Sequence, residues 1–260
     1  MKSPEGIQKF IEYKRGVEKE RPQLTAEPRL ITIDGVDGAG KSTITRKLVE
    51  KLQEIFGKDK VVLVDITNLR GSPKQERLRE IAKREKITEE QLDAFYAAGI
   101  NRAYEEIIIP ALKDGKIVVA DRSEADLLRY AIERGDETLV EKRKQYIQDG
   151  SVTHRFWAGN RIFIGVDPKD ALENLRHREQ NSQYDPSSLE EMKRSNNAQR
   201  EAQKYIESLP HTGDINVVKE KVARVENETK REEYINTIVD KLIKDLDFMK
   251  SEEKENGDEQ

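Results

Sequence analysis

Cysteine is absent from the 260 residues. That excludes disulfides, thiolate metal sites and cysteine nucleophiles. Histidine occurs only as His154, His177 and His211, scattered along the chain and without the spacing of a zinc site. No excess of charge is present either. Lys and Arg number 47 against 51 Asp and Glu, and the net charge of −4 argues against a dedicated nucleic-acid binder. Long apolar runs are missing, so no segment reads as a membrane span. The first residues also lack the apolar core of a signal peptide. The expectation is a cytoplasmic protein with no membrane and no nucleic-acid partner. Apolar content is only 35% against 38% charged, but the apolar residues cluster in periodic runs, so a buried core is still expected.

Those runs alternate between two periods. Short β-branched or apolar segments at 30–34, 61–67, 117–120, 162–166 and 215–218 read as strands. Between them lie helical patterns. Ile44, Leu48, Leu52 and Ile55 form one stripe, closed by Gly57. Thr88 and Gln91 make a capping box before Leu92, Phe95, Tyr96, Ile100, Ala103 and Ile107. Asp167-Pro168 is an N-cap followed by proline at the first helical position, ahead of Ala171, Leu172 and Leu175. Tyr234, Ile238, Leu242, Ile243 and Leu246 stripe a last helix. Strands separated by helices predict an α/β fold: three layers, α/β/α, around a mostly parallel five-stranded sheet with helices on both faces. Ligands of such sheets bind beyond the carboxyl ends of the strands. The expected organisation is an N-terminal extension over 1–28, one domain over 29–249 and an acidic, disordered tail over 250–260.

The most informative segment follows the first strand. Gly35-Val-Asp37-Gly38-Ala39-Gly40-Lys41-Ser42-Thr43 satisfies G-x-x-x-x-G-K-[ST], the phosphate-binding loop of the P-loop NTPase fold, with the strand before it and the helix after it both legible. Glycines allow main-chain N–H groups to turn around phosphate oxygens, and the helix start adds unpaired donors. Lys41 would place positive charge on the outer phosphates, and the Ser42 hydroxyl can ligate Mg²⁺. The predicted cofactors are therefore ATP and Mg²⁺. Asp121-Arg122 ends another strand. It reads either as a metal-orienting acid beside a phosphate-forking guanidinium or as a strand-end ion pair. Arg176 and Arg178, before a polar stretch to Ser188, suit a lid over about 176–190 or a solvated basic helix end.

Taken together, the run GVDGAGKST, the Gly71-Ser-Pro73 and Leu78-Arg-Glu80 segments, the helix carrying Phe95, Tyr96 and Arg102, the Val-Ala-Asp-Arg strand end and the Val166-Asp-Pro168 lid start resemble the thymidylate kinases. The resemblance covers roughly residues 29–246. It implies a nucleoside monophosphate kinase, most readily one turning dTMP into dTDP, working as a homodimer on nucleotide substrates. It also implies roles. Gly35, Asp37, Gly38, Ala39, Gly40, Lys41, Ser42 and Thr43 would cradle ATP. Ser42 and Asp121 would serve the metal, and Lys41, Arg122, Arg176 and Arg178 the transferred group. Asp37, Phe95 or Tyr96, Arg102, Arg122 and Tyr130 would hold the acceptor. Leu127 stands where the family carries an amide that reads the base. Asp121-Arg-Ser123 is also similar to the signature of deoxynucleoside kinases, for which Asp65 would be the proton-accepting carboxylate. A nucleotide-binding regulatory module without turnover is the third reading.

Overall fold

The apolar, β-branched segments become the strands of a single parallel sheet, as burial on both faces favours. The computed structural model describes residues 25–66, 89–150, 153, 156–177, 186–209, 215–225 and 227–246; in the helix starting at Glu89, side chains are described from Tyr96 on. The strands are β1 (Thr25–Gly35), β2 (Val61–Asp65), β3 (Ile117–Asp121), β4 (Phe156–Val166) and β5 (Asn216–Val222). They stand in the order β2-β3-β1-β4-β5, and every described pairing is parallel. β1 therefore lies at the centre. The chain leaves it towards β2 and β3 on one side and towards β4 and β5 on the other. The carboxyl end of β1 is the point where the winding reverses, which is where an open α/β sheet leaves a crevice.

Helices α1 (Lys41–Phe56), α2 (Glu89–Ala103), α3 (Ile109–Lys113), α4 (Glu124–Arg134), α5 (Glu137–Asp149), α6 (Pro168–Arg176), α7 (Leu189–Glu207) and α8 (Glu228–Asp245) cover the sheet. Successive strand residues face opposite layers. Ile31 and Ile33 pack with Leu48 and Leu52 of α1 and Leu242 of α8. Leu30 instead joins Val64, Val118, Ile100 and Leu127. The expected three layers are present. The Asp167-Pro168 signal acts as read: the Asp167 carboxylate accepts from Lys169 N at 2.8 Å, with Pro168 in the first turn. Thr88, Gly71, Pro73, most of the N-terminal extension and the acidic tail lie outside the described residues.

Two boundaries differ from the sequence reading. β1 reaches back to Thr25, inside the segment expected to be an appendage. Its first residues pair with the start of β4 (Thr25 with Phe156, Glu27 with Ala158) before a bulge, and the ladder resumes at Ile31 with Asn160. Pro28 lies in the bulge, where a missing N–H costs no ladder bond, and Asn160 Nδ2 donates to its carbonyl at 2.7 Å. β4 begins at Phe156 rather than 162; polar Asn160 and Arg161 interrupt the apolar run and so conceal its first half in the sequence. Both are buried and paired: Arg161 forms an ion pair with Glu124 at the start of α4, with side-chain exposures of 0% and 1%.

That pair joins the centre of the sheet to α4. Breaking a buried pair by removing one partner strands the other charge and costs about 3–5 kcal/mol. Glu124→Ala is therefore expected to lower unfolding free energy by that amount in urea titrations. A loss below about 1 kcal/mol, the scale of an exposed pair, would mean that Arg161 does not depend on Glu124.

Candidate functional site

The loop between β1 and α1 takes its shape from glycine. Gly38 has φ +81°, and a Cβ there would lie 2.3 Å from the Ala171 carbonyl oxygen of α6. Gly40, also at φ +81°, is the N-cap of α1 and carries no capping side chain. The first N–H groups of α1 thus open onto the loop without a side-chain acceptor from the cap, the condition for anion binding. Asn174 of α6 donates to Gly38 O at 2.9 Å and steadies the loop from outside. Lys41 curls back over it. Its Nζ donates to Val36 O at 2.7 Å and lies 3.9 Å from Asp37 Oδ1. Burial, reinforced by nearby Arg122, pushes the Lys41 ammonium down to about 8 against the pull of Asp37, Asp126 and Asp121.

Opposite the loop, β3 ends in Asp121. Ser42 Oγ donates to Asp121 Oδ2 at 3.1 Å. Asp121 Oδ1 is buried and has no hydrogen-bond partner among the described residues. Burial raises the Asp121 carboxyl, opposed by Lys41 and Arg122. Two hard oxygen groups, one with an unused lone-pair face, fit a Mg²⁺ whose other ligands are phosphate oxygens and water. Asp65, in register with Asp121 across β2 and β3, lines the same cleft.

Arg122 follows with φ +79°, the only described non-glycine residue at positive φ. Such a backbone costs free energy and persists where its surroundings hold it; here its N–H donates to Ile33 O at 2.9 Å. The guanidinium is held by two carboxylates: Nη2 lies 2.5 Å from Asp37 Oδ1, and Nη1 pairs with Asp126. Burial alone would raise the Asp37 carboxyl. Arg122, then Lys41 and Arg129, outweigh it and hold Asp37 ionised well below the usual range. Ser123, the third residue of the Asp-Arg-Ser run, is committed to structure. Its Oγ accepts from Ala125 N as the cap of α4 and donates to Asp34 Oδ2 at 2.7 Å. Asp34 is buried, which together with Asp126 pushes its carboxyl up to about 7.

Two clefts flank the loop. One of about 620 Å³ is lined by Asp37, Lys41, Ser42, Asp65, Asp121 and Arg122. The other, of about 440 Å³, lies between Gly38–Gly40, Asn174 and the segment after β5, with Arg231 and Tyr234 of α8. Gly40 and Thr43 line both. The structure therefore brings together the expected loop residues Gly35 to Thr43 with Asp121 and Arg122. Tyr130 lies beside them: Arg129 covers its ring at 3.9 Å, and Tyr96 stacks on it with centroids 6.3 Å apart. Leu127 is buried in the core layer against which Tyr96 packs. Arg102, in the last turn of α2, pairs with Glu106 just beyond that helix at 3.2 Å. Arg176 is exposed in the last turn of α6. Arg178 and the side chain of Phe95 lie outside the described residues. Sequence reasoning missed Asp126, Arg129 and Asn174. A signal existed for the first two: Asp126, Arg129 and Glu133 recur at spacings that place them on one face of α4.

Comparison with known proteins gives the family of the chain and agrees with its fold. The family profile described as "Thymidylate kinase" matches residues 33–232. A thymidylate kinase of Geobacillus sp. (strain WCH70) is 35% identical over 162 residues, 58% of this chain and 70% of that protein. A thymidylate kinase of Vibrio parahaemolyticus is 30% identical over 156 residues, 57% and 70% of the two. Among solved structures, thymidylate kinase from Ehrlichia chaffeensis shares the fold at a TM-score of 0.57 and 20% identity, over 83% of this chain and 97% of that one.

The buried Lys41 gives a pH test. A polyanion against its ammonium raises the depressed pKa towards the usual lysine range, so binding must take up a proton once pH exceeds about 8. Calorimetry of ATP binding at pH 8.5, in buffers of different ionisation heat, should show net proton uptake that Lys41→Met abolishes. Equal heats in all buffers would contradict this.

Proposed function

We propose, for a chain that belongs to the thymidylate kinase family, transfer of the ATP γ-phosphoryl group to thymidine monophosphate, giving ADP and the thymidine diphosphate. One observation carries this most directly. The phosphate loop, the Ser42–Asp121 pair and Arg122 converge on one cleft, with Asp37 linking loop to guanidinium at 2.5 Å. Donor and acceptor phosphates would meet there.

The acceptor already carries its nucleophile as a phosphate oxygen, so the protein needs no nucleophile and no base. Its task is to position two polyanions and offset their charge. Main-chain N–H groups at the start of α1 bind the donor phosphates. Lys41, released from the Val36 carbonyl, reaches their outer oxygens. Ser42 and Asp121 would hold Mg²⁺, which would supply further positive charge to the phosphates. Arg122 forks onto the acceptor phosphate. Tyr130, backed by Tyr96, forms the aromatic wall for the acceptor, and Leu127 leaves base recognition to shape rather than to a hydrogen bond at that position. The adenosine end of ATP occupies the 440 Å³ cleft beside Asn174 and Tyr234. A lid over about 176–190 brings Arg176 and Arg178 to the transferred group, and the enzyme works as a cytoplasmic homodimer. Among the described residues no helix is long and apolar enough to cross a membrane.

A coupled assay with ATP, Mg²⁺ and each common nucleoside or nucleoside monophosphate should detect turnover with dTMP and none with thymidine. No turnover with any monophosphate defeats the reading. Lys41→Ala and Arg122→Ala should each lower turnover by at least ~100-fold, the scale of lost transition-state charge stabilisation. A tenfold loss or less would remove those roles.

A further inference from the structure

Arg122 belongs to a closed ring of four charges. Its two terminal nitrogens reach Asp37 and Asp126. Arg129, one helical face further along α4, reaches the same two carboxylates: its Nε lies 3.0 Å from Asp126 Oδ1, and its Nη2 lies 3.9 Å from Asp37 Oδ2. Charges alternate around the ring, and each carboxylate faces both guanidiniums. Three contacts are within hydrogen-bond reach. The fourth, Arg129 to Asp37, is open. Arg129 Nη2 is buried, aims at Asp37 and has no hydrogen-bond partner among the described residues. The rest of Arg129 is fixed. Nη1 donates to Ser195 Oγ of α7 at 2.8 Å and to Glu133 at 3.0 Å, and the plane covers the Tyr130 ring. The side chain is 1% exposed.

An immobile arginine with one unused donor pointed at a carboxylate that another arginine already holds is a poised second partner. We propose that Arg129 is a positioning residue for acceptor binding: when the acceptor phosphate claims Arg122, Asp37 passes from Arg122 to the waiting Nη2 of Arg129. The inference rests on the proposed kinase reading and assigns a residue that touches neither substrate.

The physics requires some such acceptor. An acceptor phosphate that takes Nη2 of Arg122 displaces Asp37 from it; Lys41, also near Asp37, then serves the donor phosphates, and a displaced, largely buried carboxylate without a partner is costly. Closing the 3.9 Å gap to hydrogen-bond distance takes a side-chain shift of roughly 1 Å. A charge-assisted bond then replaces the one lost. Asp126 keeps its bond to Arg129 throughout, so Arg122 retains one anchor while it turns. Lysine cannot substitute. Its single ammonium can hold Asp126 or reach towards Asp37, but not both.

The test compares acceptor binding with and without its phosphate. The variants are Arg129→Gln, Arg129→Lys and Asp37→Asn, the last alone and combined with Arg129→Gln. The expected result is a dTMP Kd weakened about tenfold or more in both Arg129 variants, the scale of one hydrogen bond to a charged group. Thymidine, which has no phosphate to displace Asp37, should bind as to the wild type, and KM for ATP should change less than threefold. Asp37→Asn removes the charge that needs rehousing, so adding Arg129→Gln to it should cost no further dTMP affinity. Equal losses for dTMP and thymidine, full rescue by lysine, or additive effects with Asp37→Asn would overturn the inference. If Arg129→Gln does not fold, the lysine variant carries the same comparison. Wild-type protein that phosphorylates no monophosphate would defeat the kinase reading instead, independently of these ratios.

Discussion

The contact between Asp37 and Arg122 holds the two halves of the site together. Asp37 belongs to the loop that would grip one polyanion, and Arg122 to the strand end that would present the other. Each is positioned by something it does not control. The loop keeps its course because Gly38 passes against α6 where no side chain fits. Arg122 keeps its left-handed backbone because its N–H is tied to β1. Without the ion pair, or the Asp37–Arg129 bond proposed to replace it when the acceptor binds, the two proposed anion-binding elements on adjacent strands could drift relative to each other, and the effective concentration of the reacting groups would fall with misalignment.

The surroundings explain how so many charges stay buried. Arg122, Arg129, Asp37 and Asp126 alternate in sign, so each charge taken out of water finds two opposite neighbours. Behind them, Arg161 is paired with Glu124, and Asp34 with the Ser123 hydroxyl. These contacts lock the first turn of α4 to the central strands. They leave buried oxygens and nitrogens of Thr32, Asp34, Tyr104 and Arg161 without hydrogen-bond partners among the described residues. A core of this kind is a poor way to gain stability and a good way to fix geometry. The stability comes from the apolar layers, where Ile31, Ile33, Leu48 and Leu242 interlock on one face of the sheet and Leu30, Val118 and Ile100 on the other.

Much of this was legible in the sequence, for stated reasons. The loop is a local motif, so Gly35 to Thr43 could be placed from spacing alone, and Asp121-Arg122 from its place after an apolar strand. Parallel architecture followed from strands alternating with amphipathic helices. The first half of β4 was hidden because Asn160 and Arg161 break the apolar pattern, and their partners Pro28 and Glu124 lie far away in the chain. The extension of β1 to Thr25 was hidden by Pro28, which reads as a break but sits in a bulge. The three-residue and four-residue spacings from Asp126 through Arg129 to Glu133 mark a charged face on α4. Whether that face met water or the site depended on Asp37 and Ser195, which only the tertiary fold brings to it.

The central claim is that the clefts on either side of the loop form one line along which a phosphoryl group passes. It is tested most directly by the affinity of a single molecule that spans both, an adenosine and a thymidine joined 5′ to 5′ through five phosphates. If the clefts are collinear, linking the two halves makes the second binding event intramolecular, and the compound should bind at least ~100-fold more tightly than ATP or dTMP alone. Affinity no better than that of ATP would mean that the cleft holding Arg122 does not receive an acceptor in line with the donor, and the account would be wrong.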